Sequence, residues 1–345
     1  MSKRHDHLDE DDVRVRPGKG KSRARSKIRP EHQQASEALV TAVDRGRFTA
    51  VLDDDPARLV YAVKAREIGR KGIVVGDRVD LVGDIAGGGD ALARIVRRQP
   101  RVTVLRRSAD DNDPVERVVV ANAEQLAIVV AAADPEPRPR LVDRALIAAF
   151  DGGLRPAVIV TKTDLASADE LVERYAPLDI TVLARSKDDP MDAIHELLDG
   201  RTTVLLGHSG VGKSTLVNAL VPEAFRATGV VNAVTGRGRH TSTSAVAFPL
   251  EPRGWVVDTP GIRSFGLAHV DLSRFMRAFP DLEEGTRECP RGCTHTDTHC
   301  ALDNYVASGG ADPTRLTSLR RLLASRSDSG FNPTYAPDQT ALAPE

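Results

Sequence analysis

The order of two short segments restricts the fold of this chain more than any other feature. TKTD, residues 161–164, has the form of a turn that reads a nucleotide base, and GHSGVGKST, residues 207–215, that of a loop that cradles phosphates. The base-reading piece comes first, the reverse of the usual order. Strands of a parallel sheet can keep their spatial neighbours when the chain is cut in one loop and rejoined at the old termini. The order therefore predicts a circularly permuted nucleotide-binding domain.

The phosphate loop has the pattern G-x-x-x-x-G-K-S, follows the apolar run TTVLL and precedes a helical pattern, the context that separates a working loop from a chance match. Across Gly207, His208, Ser209, Gly210, Val211 and Gly212, backbone N–H groups would curl around the phosphates. Lys213 would supply charge to the β and γ groups, Ser214 a hydroxyl to Mg²⁺, and Thr215 closes the motif. WVVDTPGI, residues 255–262, reads as a strand that ends in Asp258, which would hold Mg²⁺ through water, with the N–H of Gly261 placed for the γ-phosphate. The intervening loop TGRGRHTSTS, residues 235–244, is suited to donate a threonine hydroxyl to Mg²⁺, from either Thr241 or Thr243. In TKTD, Asp164 can accept from the N1–H and exocyclic amino group of guanine, which specifies GTP. Thr161 stands where asparagine is usual, with Lys162 and Thr163 completing the turn. LARSK, residues 183–187, lies at the next strand end, where a backbone N–H of Ala184, Arg185 or Ser186 would meet guanine O6.

Around these motifs, residues 126–134, 156–165, DITVLARS and TTVLLGHSG read as strands alternating with helices, which implies a parallel sheet covered on both faces. Earlier, RFTAVL, RLVYAVKA, DRVDLVG, ALARIVRR and VTVLRR are five short β-like runs separated by turn residues, the size of an oligonucleotide-binding (OB) barrel. Arg47, Arg58, Lys64, Arg66, Arg70, Lys71, Arg94, Arg97 and Arg98 interleave with them, as a nucleic-acid face requires. Phe48 and Tyr61 are the only aromatic platforms there, so contact with the nucleic-acid backbone is expected over base reading. Past Gly261 the chain reads as irregular, then helical.

Cys289, Cys293, His295 and Cys300 fall in one window and use every cysteine of the chain, a full tetrahedral set for one structural zinc. His299, beside Cys300, is the competing imidazole.

The expected layout is a basic tail over 1–34, an OB-type barrel over 35–110, a permuted GTPase domain over 111–268, a helical zinc-binding domain over 269–328 and a flexible tail over 329–345. Composition fits a globular protein, with 41% hydrophobic and 28% charged residues. No apolar run reaches the length of a membrane span, and the start lacks a signal-peptide core, so no membrane partner and a cytoplasmic location are expected. Between residues 13 and 30 the chain carries eight basic residues and no acidic one. That tail could lie on nucleic acid or stay a solvated segment without a partner.

The permuted order, the barrel before it and the Cys/His window after it resemble the RsgA family (YjeQ type) of ribosome-assembly GTPases, from about residue 35 to 326. VGDRV (residues 75–79), ANAEQLAIVVAA (121–132), LVDRAL, SGVGKST, GRGRHTST and DTPGIRSF carry the resemblance. It implies a GTPase that binds the small ribosomal subunit and its rRNA, assists late maturation and hydrolyses GTP to GDP slowly unless stimulated by that subunit. A monomer is expected. Ile262 stands where small GTPases place a water-orienting glutamine, and the family likewise carries a hydrophobic residue there. His240 is the candidate to orient the water or act as general base; it could equally cap its loop or touch RNA. Gly210 takes the place of the asparagine seen in potassium-activated relatives, so no potassium site is expected. The rival readings are a phosphate-loop ATPase or kinase, against which Asp164 argues, and an RNA-binding module in which nucleotide is a static ligand.

Overall fold

In the computed structural model, the described residues are 34–68, 72–87, 92–107, 117–222, 245–260, 267, 270–271 and 275–327. The basic tail, Arg70, Lys71, the loop with His240, Thr241 and Thr243, and Gly261 with Ile262 lie outside them.

Strands β1 (Ser36–Asp44), β2 (Arg47–Leu52), β3 (Leu59–Lys64), β4 (Arg78–Gly83) and β5 (Ala93–Arg98) close a barrel in the order β1-β2-β3-β5-β4, with β4 returning to β1. Alternate positions such as Ala38, Val40, Ala50, Leu52, Val60, Ala62, Val79, Leu81 and Ile95 fill its interior, as the two-residue period of a strand requires. The barrel corrects the sequence reading at both ends. Its first strand is SEALVTAVD, whose small alanines blur the alternation, and VTVLRR is not a barrel strand. That segment forms β6 (Val104–Arg107), which pairs antiparallel with β7 (Arg117–Ala121) in a separate two-stranded sheet.

The second half carries β8 (Gln125–Ala131), β9 (Arg155–Thr161), β10 (Thr181–Ala184), β11 (Thr202–Gly207), β12 (Val246–Pro249) and β13 (Trp255–Asp258). Their order is β10-β9-β8-β11-β13-β12, parallel except for the antiparallel edge strand β12. Helices α1 (Pro139–Gly152), α2 (Asp169–Tyr175), α3 (Asp192–Leu198) and α4 (Lys213–Leu220) cover both faces. One apolar cluster joins Leu146, Ile147 and Leu171 to Ile128, Val158 and Leu206; another joins Ile194, Leu198 and Leu216 to Val129, Ile159 and Leu205. Helix α1 ends at Gly153, whose φ of 75° and N–H bonds to the carbonyls of Ala149 and Phe150 close its last turn.

The first cluster continues into the C-terminal segment through Phe275, Phe279, Leu302, Leu316, Leu319 and Leu322. The closing helix, Pro313–Ser327, uses three arginines to anchor itself. Arg315 makes a bidentate pair with Asp281 and donates to the Pro177 carbonyl; Arg320 does the same to Asp303 and to the His295 carbonyl. Arg321 donates to the Arg174 carbonyl and stacks over the buried Tyr175 ring, near the buried Asp143. Burial and Asp143 push the Tyr175 phenol up, so it stays protonated and donates to the Pro139 carbonyl.

Two joints connect barrel and parallel sheet. Strand β1 pairs with β4 over its first half, bends at a bulge between Val40 and Ala42, and then meets β12 at the Ala42–Val246 pair, so a single sheet runs through both. The other joint is VGDRV. Val75 bridges to Val120, and a side chain at Gly76 (φ 85°) would stand 1.9 Å from the Ala121 carbonyl oxygen, so only glycine fits. Asp77 is fully buried and accepts from the Val74 N–H and, bidentately, from Arg101 at 2.7 and 2.8 Å. Asn122 donates to the Gly76 carbonyl and accepts from the Val102 N–H, which completes the seam.

Candidate functional site

The carboxyl ends of adjacent parallel strands gather the nucleotide motifs, where an open α/β sheet binds ligands. Strand β11 runs into residues 207–213 and α4 begins at Lys213. Gly212 caps that helix at φ 88°, a left-handed conformation that lets the loop turn back on itself and aim its N–H groups inward. Ser214 and Thr215 are exposed on the first turn, and His208 Nδ1 lies 2.9 Å from the Ser209 carbonyl.

The register of β11 against β13 aligns Leu205 with Asp258, which brings Asp258 beside the phosphate loop. Lys213, buried, donates from Nζ to the Asp258 carboxylate and to the Thr259 carbonyl. Thr259 in turn donates to the Leu205 carbonyl at 2.7 Å and fixes the end of β13. The Ser214 hydroxyl and the Asp258 carboxylate are the oxygen donors that a hard cation such as Mg²⁺ prefers.

On the other side of β11, strands β8 and β9 carry the TKTD turn to the same edge. Thr161 is buried, and its hydroxyl lies 2.6 Å from the Val211 carbonyl of the phosphate loop and 3.3 Å from that of Val130. The single hydroxyl proton serves the nearer oxygen, so the threonine that replaces asparagine still ties the base turn to the phosphate loop. Lys162, at φ 60°, donates to the Asp134 carbonyl, while Asp164 is exposed at the tip. The Thr163 N–H donates to the Arg185 carbonyl and joins this turn to the one after β10.

In that second turn the structure redistributes the expected donors. The Arg185 N–H is taken by the Val160 carbonyl, and the Ser186 N–H and hydroxyl by the Asp189 carboxylate at 2.6 and 2.8 Å. The buried Arg185 guanidinium donates to the Lys187 and Asp189 carbonyls. Those bonds from Ser186 hold the Asp189 carboxyl below the usual carboxylate range. Sequence reasoning missed Asp189; the signal was an acidic residue three positions after a serine, the spacing of a local turn.

Cys289, Cys293, His295 and Cys300 converge, with their ligand atoms within 4.8 Å of one another. Cys289 Sγ lies 3.7 Å from His295 Nδ1 and 3.9 Å from Cys300 Sγ, and Cys300 Sγ lies 3.9 Å from His295 Nδ1. Zinc bonds of about 2.3 Å to sulfur and 2.0 Å to nitrogen in a tetrahedron separate donors by about 3.5–3.8 Å, so the set fits such an ion. Of the two imidazoles, His295 is buried within the cluster and His299 is exposed. Burial lowers the His295 pKa and raises that of Cys293. Arg320 orients the loop by its bond to the His295 carbonyl, and Asp297 accepts from the Thr294 N–H.

On the barrel, Arg47, Arg58, Arg66, Arg94 and Arg97 are exposed; of these Arg58 pairs with Asp55 and Arg97 with Asp80, while the partly buried Arg98 turns toward Asp77. Phe48 is a core residue. No described helix is long and apolar enough to cross a membrane.

A family model described as RsgA GTPase matches residues 98–268. A curated protein of Chromohalobacter salexigens, Small ribosomal subunit biogenesis GTPase RsgA, is 36% identical over 262 residues, covering 73% of this chain and 75% of that protein. Its namesake in Pseudomonas putida is 36% identical over 269 residues, covering 75% of this chain and 76% of its own. Among solved structures, YjeQ from Thermotoga maritima superposes with a TM-score of 0.62 at 22% identity, over 85% of this chain and 98% of its own. YloQ, described as a circularly permuted GTPase, gives 0.59 at 21% identity, over 87% and 98%. At those identities the two structures speak for the fold alone.

Proposed function

The chain belongs to the RsgA GTPase family, and on that premise we propose that it is a GTP hydrolase of small-subunit ribosome biogenesis that acts while bound to the subunit and its rRNA. The observation that carries this reading is the meeting of three motifs from separate strands. Lys213 touches Asp258 on one side, and on the other Thr161 reaches the Val211 carbonyl of the same loop.

In this reading the N–H groups of residues 208–213 and the Lys213 ammonium bind the β and γ phosphates, and Asp164 selects guanine. Ser214 and Asp258 would hold Mg²⁺, which when bound neutralises charge between those phosphates. Lys213 then exchanges Asp258 for phosphate oxygens, which frees the carboxylate. The water-orienting role of His240, and the choice of Thr241 or Thr243 as a further Mg²⁺ ligand, concern residues outside those described and stay part of the proposal. The four-ligand Cys/His set would take one structural zinc, since a closed tetrahedron leaves no position for substrate.

The exposed arginines of the barrel and the zinc-bearing segment would grip rRNA backbone, and hydrolysis would loosen that grip once the subunit is mature. The test is GTP turnover by the purified protein with and without small subunits, with ATP and Lys213→Ala as controls. Stimulated turnover specific to GTP and lost in the variant supports the proposal; equal rates with and without subunits refute the ribosomal trigger. The coupling itself fails if Asp258→Asn leaves subunit release unchanged.

A further inference from the structure

We infer that Asp189 is a positioning residue for guanine recognition: it holds the turn after β10 in the shape that offers backbone N–H groups to the base, opposite Asp164. The inference rests on the nucleotide-site reading above and names a residue outside the motif that reads the base.

The turn begins from a fixed point. Ala184 pairs with Val160 at the end of β10, the Arg185 N–H continues that ladder to the Val160 carbonyl, and the Arg185 carbonyl receives the Thr163 N–H. Beyond Arg185, the bonds that shape residues 186–189 come from two side chains of the turn itself. The Arg185 guanidinium draws in the carbonyls of Lys187 and Asp189, and the Asp189 carboxylate takes both the N–H and the hydroxyl of Ser186. Carbonyls are thus gathered on the Arg185 side. With Ser186 committed to Asp189, the Lys187 and Asp188 N–H groups have no partner among the described residues, and both residues are exposed.

Guanine presents O6, an acceptor, on the edge next to N1–H. Asp164 is acceptor-only when ionised and can serve N1–H and the 2-amino group, never O6. O6 needs a donor from a second segment, and the turn after β10 is joined to the Asp164 turn by the Thr163 to Arg185 bond. Asp189 therefore acts by committing Ser186 and leaving the next N–H groups for O6. A charge-assisted pair of this kind gives the turn one shape at little cost on binding, which is preorganisation.

The roles of Asp164 and Asp189 separate by ligand. Inosine diphosphate keeps O6 and N1–H and lacks the 2-amino group, so loss of a correctly placed O6 donor weakens GDP and IDP by the same factor. Loss of the Asp164 carboxylate instead erases the preference of GDP over IDP.

The experiment is a titration of the full-length protein with GDP, IDP and ADP by calorimetry, together with steady-state GTP hydrolysis, for Asp189→Ala, Asp189→Asn and Asp164→Ala. Asp189→Ala is expected to weaken GDP and IDP equally, by about tenfold, to leave ADP unchanged, and to raise KM for GTP far more than it changes kcat. Asp189→Asn keeps an acceptor for the Ser186 N–H and should recover affinity to within about threefold. Wild-type GDP affinity in Asp189→Ala overturns the inference, as does a loss shared by ADP, which would mark a general folding defect. If Asp164→Ala fails to remove the preference of GDP over IDP, the base-reading assignment itself falls. If Asp164→Ala behaves as expected and Asp189→Ala is silent, only the role of Asp189 falls.

Discussion

Replacing Thr161 with valine removes one hydroxyl and keeps the volume, so it isolates the bond between the base turn and the phosphate loop. The hydroxyl lies 2.6 Å from the Val211 carbonyl, within a site where Thr161 is 6% exposed. A neutral hydrogen bond contributes about 1 kcal/mol net, and a buried carbonyl left without its donor raises the loss toward about 3 kcal/mol. Valine leaves no cavity, so packing adds nothing further. Val211 immediately precedes Gly212, the left-handed cap of α4 at φ 88°, so a Val211 carbonyl that loses its donor loosens that cap. A share of about 1.4 kcal/mol carried into the bound state would lower GDP affinity about tenfold. Urea unfolding reads the stability loss, and displacement of a fluorescent guanine nucleotide reads the affinity. Thr161→Ser retains the donor and should lose less than half as much by both measures. If Thr161→Val unfolds with the wild-type midpoint and binds GDP normally, the bond is incidental and the two motifs are not mechanically joined.

Asp77→Asn leaves Arg101 half of a buried pair and should cost about 3 kcal/mol in urea unfolding; a loss below about 1 kcal/mol would show that the seam does not depend on that charge. Cys300→Ser should abolish the one-to-one zinc content measured by elemental analysis and lower the melting temperature, and a strong chelator should do the same to the wild type. Retention of full zinc by Cys300→Ser would refute the ligand set. The Arg315 pair holds the Asp281 carboxyl below its ordinary range. Its stabilising contribution is present above the unfolded carboxyl pKa of about 3.9 and is lost as pH falls through the lower folded value. Asp281→Asn should therefore flatten some of the acid limb of a stability-against-pH curve below about pH 4, and an unchanged limb would rule the pair out as its source.

The parallel sheet was legible because each of its strands is a short apolar run that ends in a chemically marked turn. TTVLL before the phosphate loop, WVVD before the residues TPG and PAVIV before TKTD leave little freedom in where the strands stop. The barrel was legible in kind and misread at its margins. SEALVTAVD hides its period because Ala38 and Ala42 are small and because its two halves face different partners, β4 and β12. VTVLRR has the same strand chemistry as the barrel runs, and nothing in its composition tells that its partner is RVVVA and not a barrel strand. Strand β12 is four residues long, ends in Pro249 and sits at an edge of the parallel array, so it has almost no signature of its own. VGDRV was visible only as a point of resemblance, because its partners Arg101 and Asn122 are remote in sequence and are brought to Asp77 and Gly76 by the fold. The Cys/His cluster, by contrast, was readable from spacing, and the fold gathers His295, not the exposed His299, with the three cysteines.

Permutation also determines how the molecule bears tension. The chain enters the parallel sheet from the barrel through β8 and leaves it for the helical segment through β13, and these two strands flank β11. Once the single β1–β12 pair has parted, a pull that separates the barrel from the C-terminal segment draws β8 by its amino end and β13 by its carboxyl end, in opposite directions along β11. Both ladders are then loaded in shear, so their hydrogen bonds share the force and cannot unzip in succession. In the unpermuted order the chain would leave by an outer strand, which can peel away from the sheet. Here the strand that ends in the phosphate loop is the keystone between two handles, and nucleotide clasped across its end would stiffen the whole span.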